Sequence, residues 1–218
     1  MKCVNFYYFS GTGNTLLVVR RMAEVFEENG IEVNLHRIEK MDPKDVDRGC
    51  TVGLAFPVAC QGTYLFVWRF VEQMPETDGT PVFMVNTLAS FSGGVVGPMR
   101  EILRKKGYTP IGAKEIVMPN NLTGMNSEKE NRRVIRRGLK TAGEYARAII
   151  EGTAKWGRVP ILSDIMSKPS RDDKKAWRLF RRLFPHYIDL RLCTRCGLCA
   201  ELCPVGDIVM EDYPVHIG

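Results

Sequence analysis

The junction Phe6-Tyr7-Tyr8-Phe9-Ser10-Gly11-Thr12-Gly13-Asn14-Thr15 constrains this chain more than any other stretch. An apolar, aromatic run breaks into small and hydroxylated residues, and a helix-spaced pattern begins at once. Leu16, Val19, Met22, Ala23 and Phe26 fall on one face, with Gly30 just past the end. The sequence therefore predicts a strand, a tight loop and a helix N-terminus. Free backbone N–H groups and the positive end of the helix dipole suit such a junction to an anion. Gly11 and Gly13 let the backbone approach closely, while Ser10, Thr12, Asn14 and Thr15 supply hydrogen-bonding side chains. A plain β–α turn draws on the same residue types, so the loop alone leaves both readings open.

The same alternation continues. Residues 2–9 read as a buried strand, 14–29 as a helix, 32–38 as a second strand and 51–56 as a third. Residues 64–74 are helical in spacing and stop before Pro75. Residues 82–88 form a fourth, apolar strand, 94–106 a helix ending at Gly107, and 111–118 a fifth strand. Residues 127–151 form a long helix with Ala142, Tyr145, Ala146 and Ile149 along one face. Alternating strands and helices imply a parallel sheet with right-handed crossovers. The predicted fold is α/β, a doubly wound five-stranded parallel sheet that binds ligands outside the carboxyl ends of its strands.

Loops after the third and fourth strands should then join the opening loop in one site. The first contributes Pro57, Val58, Ala59, Gly62, Thr63 and Tyr64; the second contributes Thr87, Ser90, Phe91, Gly93 and Gly94. Both mix glycine, a hydroxyl residue and one aromatic, which suits backbone hydrogen bonding to the polar edge of a flat ring. Tyr64 or Phe91 can stack on the face of that ring, or each can simply pack its own loop. Pro119-Asn120-Asn121 can close the same end.

The opening loop lacks the Gly-Lys-Ser/Thr ending of a nucleotide-hydrolase phosphate loop, and Leu16 stands where a dinucleotide fingerprint has its third glycine. Hydroxyl-rich and without a basic residue, it suits one terminal phosphate. Ser10, Thr12, Gly13 and Thr15 match the flavodoxin pattern Ser/Thr-x-Thr-Gly-x-Thr, and the resemblance covers roughly residues 1–152. It implies a flavodoxin-like strand order and FMN held without covalent bonds, at Ser10 to Thr15 and the two later loops.

No apolar run approaches the roughly 20 residues needed to span a membrane, and no charged-then-apolar leader opens the chain, so a cytoplasmic protein is expected. Of seven cysteines, Cys3, Cys50 and Cys60 are scattered, and reduced thiols are expected for them. The net charge of +6 is uneven. Residues 168–191 carry eight basic and three acidic side chains, whereas residues 192–218 carry one basic and four acidic. Dense charge confined to one short segment does not indicate a nucleic-acid surface. Residues 153–190, punctuated by Gly157, Pro160, Pro169 and Pro185, read as a linker with one amphipathic helix candidate across 171–184. There Trp177, Phe180, Leu183 and Phe184 form an apolar stripe among Lys174, Lys175, Arg178, Arg181 and Arg182. A connecting helix with a solvated basic face explains it, as does docking of an acidic redox partner or adsorption to an anionic membrane.

The remaining four cysteines stand in Cys193-Thr-Arg-Cys196-Gly-Leu-Cys199-Ala-Glu-Leu-Cys203-Pro204. This is the C-x2-C-x2-C-x3-C-P run of bacterial-type ferredoxins. Two-residue gaps let three thiolates converge on a cuboidal cluster, and Gly197 keeps the backbone close. Zinc sites also use C-x2-C pairs, but three evenly spaced cysteines followed by Cys-Pro point to iron and sulfur. Residues 191–218 are expected to form a small ferredoxin-like module carrying a [4Fe-4S] cluster on Cys193, Cys196, Cys199 and Cys203. In two-cluster ferredoxins the fourth cysteine ligates the other cluster. No cysteine follows here, and Asp212-Tyr213-Pro214-Val215 resembles the strand before a second run, so a C-terminally truncated form is expected; otherwise a remote residue, another chain or nothing fills the fourth position and Cys203 is an orphan thiol.

As a whole the chain resembles the flavodoxin-domain ferredoxins of anaerobic prokaryotes. The resemblance implies electron transfer between FMN and the cluster, in a redox carrier of anaerobic metabolism. No acid–base constellation is visible; His36, His186 and His216 are isolated and expected to be structural or exposed. Two other readings compete. One is a flavin-dependent reductase of an organic substrate, with Tyr64 as proton donor; the other is a non-redox interaction module with a structural metal.

Overall fold

Apolar residues at every second position build both faces of one sheet in the computed structural model, which describes residues 1–59, 61–90, 94–120, 127–157, 171, 178–179, 182–183 and 188–216. Its strands are β1 (Cys3–Tyr8), β2 (Glu32–Arg37), β3 (Thr51–Pro57), β4 (Pro81–Leu88) and β5 (Thr109–Val117). The helices between and after them are α1 (Asn14–Glu28), α2 (Leu65–Gln73), α3 (Val96–Lys105) and α4 (Glu128–Ile150). The strands pair in parallel in the order β2-β1-β3-β4-β5, the flavodoxin-like doubly wound order. The direction of winding reverses between β1 and β3, so the loops leaving those two strands diverge around a crevice.

Side-chain alternation decides which helix covers which face. Val4 and Phe6 of β1, Ala55 of β3, and Phe83 and Val85 of β4 pack with Val18, Met22 and Phe26 of α1 and Ala142 and Ala146 of α4. Tyr7, Leu54, Phe56, Val82 and Met84 point the other way, onto Val67, Trp68 and Val71 of α2 and Met99 and Leu103 of α3. Each such Val, Leu, Phe or Met side chain, fully withdrawn from water, contributes about 1.5–3 kcal/mol. Helix α4 starts on a capping box. The Glu130 N–H donates to the Ser127 hydroxyl at 3.3 Å, and the Ser127 N–H donates to the Glu130 carboxylate at 2.8 Å. Those bonds from Ser127 hold the Glu130 carboxyl below its ordinary range. Beyond α4, Trp156 lies beside Ala113 on the β5 edge and donates its indole N–H to the Val96 carbonyl at 2.9 Å.

Two features depart from the sequence reading. Strand β5 begins at Thr109, two residues earlier than expected, because Pro110 pairs with Val82 where the register shifts before Phe83. A proline is tolerated at such an irregularity. The larger departure is at Cys3 and Cys50, which form a disulfide rather than two reduced thiols, with Cα atoms 5.1 Å apart. Val4 pairs with Thr51, so the two cysteines are one residue upstream of paired positions on adjacent parallel strands. Their separation of 47 residues hid this in the sequence. A link closing a loop of that length stabilises the fold by roughly 4 kcal/mol in the chain-entropy account. Oxidised protein is therefore expected to unfold at a clearly higher urea concentration than the Cys3→Ser variant, and equal midpoints would contradict the link.

The chain divides into two compact units, Met1–Asp172 and Asp173–Gly218. The second contains helix α5 (Leu198–Glu201) and an antiparallel pair, β6 (Ile208–Met210) with β7 (Pro214–His216). The helix candidate across 171–184 falls mostly outside the described residues. No helix among the described residues is long and apolar enough to cross a membrane.

Candidate functional site

The opening loop sits where β1 hands over to α1. Gly13 takes the N-cap position with φ 93°, in the left-handed region, and contributes no side-chain cap. A Cβ built there would meet nothing within 4 Å, so the loop faces open space at that point. The first turn of α1 carries no acidic residue, which leaves the positive end of its dipole uncompensated. Ser10 Oγ accepts the Leu16 N–H at 3.2 Å, folding the loop back over the first turn. The hydroxyls of Thr15 and Thr87 bond to each other at 2.9 Å in a buried contact. Asn14 donates its side-chain amide to the Pro119 carbonyl at 2.9 Å. Three segments read separately in the sequence thus meet at the carboxyl edge of the sheet. Gly11 and Thr12 are exposed beside them.

The loop after β3 is stitched to the same edge. The Val58 N–H donates to the Thr87 carbonyl at 2.8 Å, and the Thr63 hydroxyl donates to the Pro57 carbonyl at 3.0 Å. Ala59 and Gly62 exchange backbone bonds at 3.1 and 2.9 Å around Gln61, whose φ is 60°. Left-handed backbone at a residue with a Cβ costs about 1–2 kcal/mol, and strain of this kind gathers at functional loops. Tyr64 occupies the N-cap position of α2 and is 37% exposed. Its ring lies edge-on to Phe9 at 5.4 Å and stacked with Phe66 at 5.9 Å. Ser90 is exposed and Gly94 buried, while Cys60, Phe91 and Gly93 fall outside the described residues.

Sequence reasoning passed over Phe9, Phe66 and Asn86. The two phenylalanines looked like strand and helix interior, yet with Tyr64 they make an aromatic group at the loop edge. Asn86, fully buried on β4, donates to Glu115 at 3.2 Å, and its carbonyl oxygen has no partner among the described residues. A polar residue interrupting an apolar strand was the available signal. Of the histidines, His36 stacks on Tyr7 at 5.2 Å and His216 pairs with Asp207 at 2.9 Å, both away from these loops in sequence; His186 falls outside the described residues.

The second unit shapes the cysteine run. Cys193, Cys196, Cys199 and Cys203 are all free thiols. The Leu198 N–H and then the Thr194 hydroxyl donate to the Cys196 sulfur and hold its thiol below the ordinary range. Burial alone would push Cys203 up, but the N–H groups of Val205, Ile208, Asp207 and Gly206 outweigh it and lower it. Sulfurs surrounded by N–H donors are stabilised as thiolates, the form that binds iron. Gly197, at φ 75°, turns the chain between Cys196 and Cys199. Arg195, at φ 57°, does so between Cys193 and Cys196 without glycine's freedom, at a further cost of about 1–2 kcal/mol. Among the described residues no three His, Cys, Asp or Glu side chains gather as they would around a single metal ion.

Comparison with known proteins agrees with this division. Residues 186–209 match the 4Fe-4S binding domain family. Oxidised flavodoxin 2 from Bacillus cereus superimposes with a TM-score of 0.54 at 16% identity, over 69% of this chain and 99% of that one. A short-chain flavodoxin associated with a PDU bacterial microcompartment gives 0.51 at 14% identity, over 71% and 100%. The flavodoxin of Streptococcus pneumoniae TIGR4 gives 0.50 at 16% identity, over 67% and 99%. None of the curated proteins compared with the chain matches it. The chain therefore joins a flavodoxin-like α/β fold to a segment of the 4Fe-4S binding domain type.

Proposed function

We propose that this protein is a cytoplasmic electron carrier that passes electrons between FMN, bound by residues 1–152, and a [4Fe-4S] cluster in residues 191–218. The flavin would supply exchange of one or two electrons and the cluster exchange of one. The observation that carries the reading is the pairing, in one chain, of an open-faced α1 N-terminus that starts on glycine and has no acidic residue in its first turn with sulfurs that accept backbone N–H bonds. Ser10 to Thr15 would hold the FMN phosphate with neutral donors. Pro57 to Ala59, Gly62 to Tyr64, Thr87, Ser90, Phe91, Gly93 and Gly94 would line its ring, with the Tyr64 group excluding water from one flank. Cys193, Cys196 and Cys199 would hold one cluster, and Cys203 would be the ligand that two-cluster ferredoxins give to the other. The basic segment within residues 153–190 suits an acidic redox partner, and a carrier of this kind fits anaerobic metabolism.

Anaerobic purification of the full chain, followed by visible spectra and by EPR after dithionite reduction, tests this directly. A flavin band and a reduced-cluster signal are expected, and absence of both removes the reading. Turnover of an organic acceptor with no protein carrier present would move the chain to a flavin-dependent reductase. Within the first unit, Gly13→Val places a β-branched side chain at φ 93°, over the open face of the loop. FMN titration should show a dissociation constant raised about ten-fold or more, equivalent to about 1.4 kcal/mol per decade; an unchanged constant refutes the phosphate site.

A further inference from the structure

Arg195 stands between two of the cysteines, and its conformation needs an explanation. It is one of two non-glycine residues with positive φ among the described residues. Something must hold it there, and that is Tyr213, 18 residues further along the chain. The guanidinium carbon lies 4.1 Å from the centre of the Tyr213 ring, and Nη2 donates to the phenol oxygen of the same residue. Tyr213 itself sits in the turn between β6 and β7, where the Glu211 N–H donates to its carbonyl at 3.1 Å. The clamp thus ties the cysteine loop to the hairpin. It also fixes a charge: Arg195 is the one Lys or Arg in residues 192–218, against Glu201, Asp207, Glu211 and Asp212. A ring face and a phenol oxygen hold the cation without cancelling it.

We propose that Arg195, pinned by Tyr213, is a positioning residue that raises the reduction potential of the cluster carried by the neighbouring cysteines, an inference that rests on the cluster reading above. Reduction adds one electron, hence one negative charge, to the cluster. A cation fixed within the cysteine loop favours the reduced form; Arg195 is exposed, so water and salt screen part of its effect, and pinning keeps its average distance from the cysteines constant.

The experiment is a spectroelectrochemical titration of the reconstituted cluster in the full chain, comparing wild type with Arg195→Gln, Arg195→Lys, Arg195→Gly and Tyr213→Leu. Arg195→Gln should shift the equilibrium toward the oxidised cluster on the order of ten-fold, about 59 mV for a one-electron couple. Arg195→Lys should recover most of that shift. Tyr213→Leu keeps the cation but releases it, and should fall between wild type and Arg195→Gln. Glycine suits φ 57° better than any other residue, so Arg195→Gly removes the charge while easing the loop, and it decides the matter if Arg195→Gln assembles poorly. A potential unchanged in Arg195→Gly overturns the proposal. A wild-type chain that binds no cluster overturns the reading beneath it instead, so the two failures are distinct.

Discussion

Cys196→Ala is expected to abolish assembly of the iron–sulfur cluster and to leave FMN bound. Iron and acid-labile sulfide should fall to background after anaerobic reconstitution, while the flavin band and its affinity stay as in wild type. The reason lies in what the loop does with this sulfur. Cys196 occupies the middle of the C-x2-C-x2-C run, and its sulfur receives the Leu198 N–H and the Thr194 hydroxyl. Alanine removes the proposed ligand and leaves those donors without an acceptor. The loops proposed to hold FMN belong to the other compact unit, where Asn14 bonds to Pro119 and Thr15 to Thr87. Loss of both cofactors together would mean that the two units do not bind independently.

Gly107→Ala should cost the first unit a large part of its stability. Gly107 follows α3 at φ 84°, and a Cβ built on it would stand 1.8 Å from the Thr77 carbonyl oxygen. That oxygen belongs to backbone held in place on both sides. The Thr77 N–H donates to the Lys106 carbonyl at 2.9 Å, and the Gly79 N–H donates to the Gly107 carbonyl at 2.9 Å. Neither the strained dihedral nor the overlap can be relieved without breaking this pairing, so the two effects add. Together they should cost about 3–5 kcal/mol, which for a domain of this size lowers Tm by roughly 10 °C. Thermal unfolding followed by circular dichroism measures it. A shift within a degree or two of wild type would show that the loop rebuilds at little cost.

Gly107 also illustrates what the sequence could and could not reveal. As the end of a helix it was visible, because a glycine after an amphipathic stretch is a common stop. The carbonyl that makes it irreplaceable comes from a loop 30 positions away, and no local pattern points to it. The same division runs through the molecule. Period-two and helical spacing made the five strands and four helices of the sheet domain legible to within about two residues, since burial on both faces leaves little choice of register. The Ser10 to Thr15 loop was legible as a strand-to-helix turn, from glycine and hydroxyl residues at a strand end, while what it binds stayed open because a plain turn uses the same residue types. The Thr15–Thr87 contact was expected only as convergence of two loops, not as a particular bond. The Cys3–Cys50 link was missed because its cause is strand register, which spacing does not encode. Arg195 was missed for a related reason: a basic residue inside a cysteine run looks like surface until its dihedral angle and Tyr213 are seen together.

The bond from Asn14 to Pro119 spans 105 positions, and the one from Thr15 to Thr87 spans 72. The opening loop is thus the first part of the site to be synthesised and among the last to be completed. Its side chains reach their final places only when β4 and β5 have joined the sheet. An early folding intermediate that contains β1 and α1 would own the Ser10 to Thr15 residues and still lack the partners that fix them. Ligand affinity then reports on finished topology rather than on the presence of a motif. Any ligand that requires this edge would select the fully wound sheet, drawing the folding equilibrium toward it by mass action.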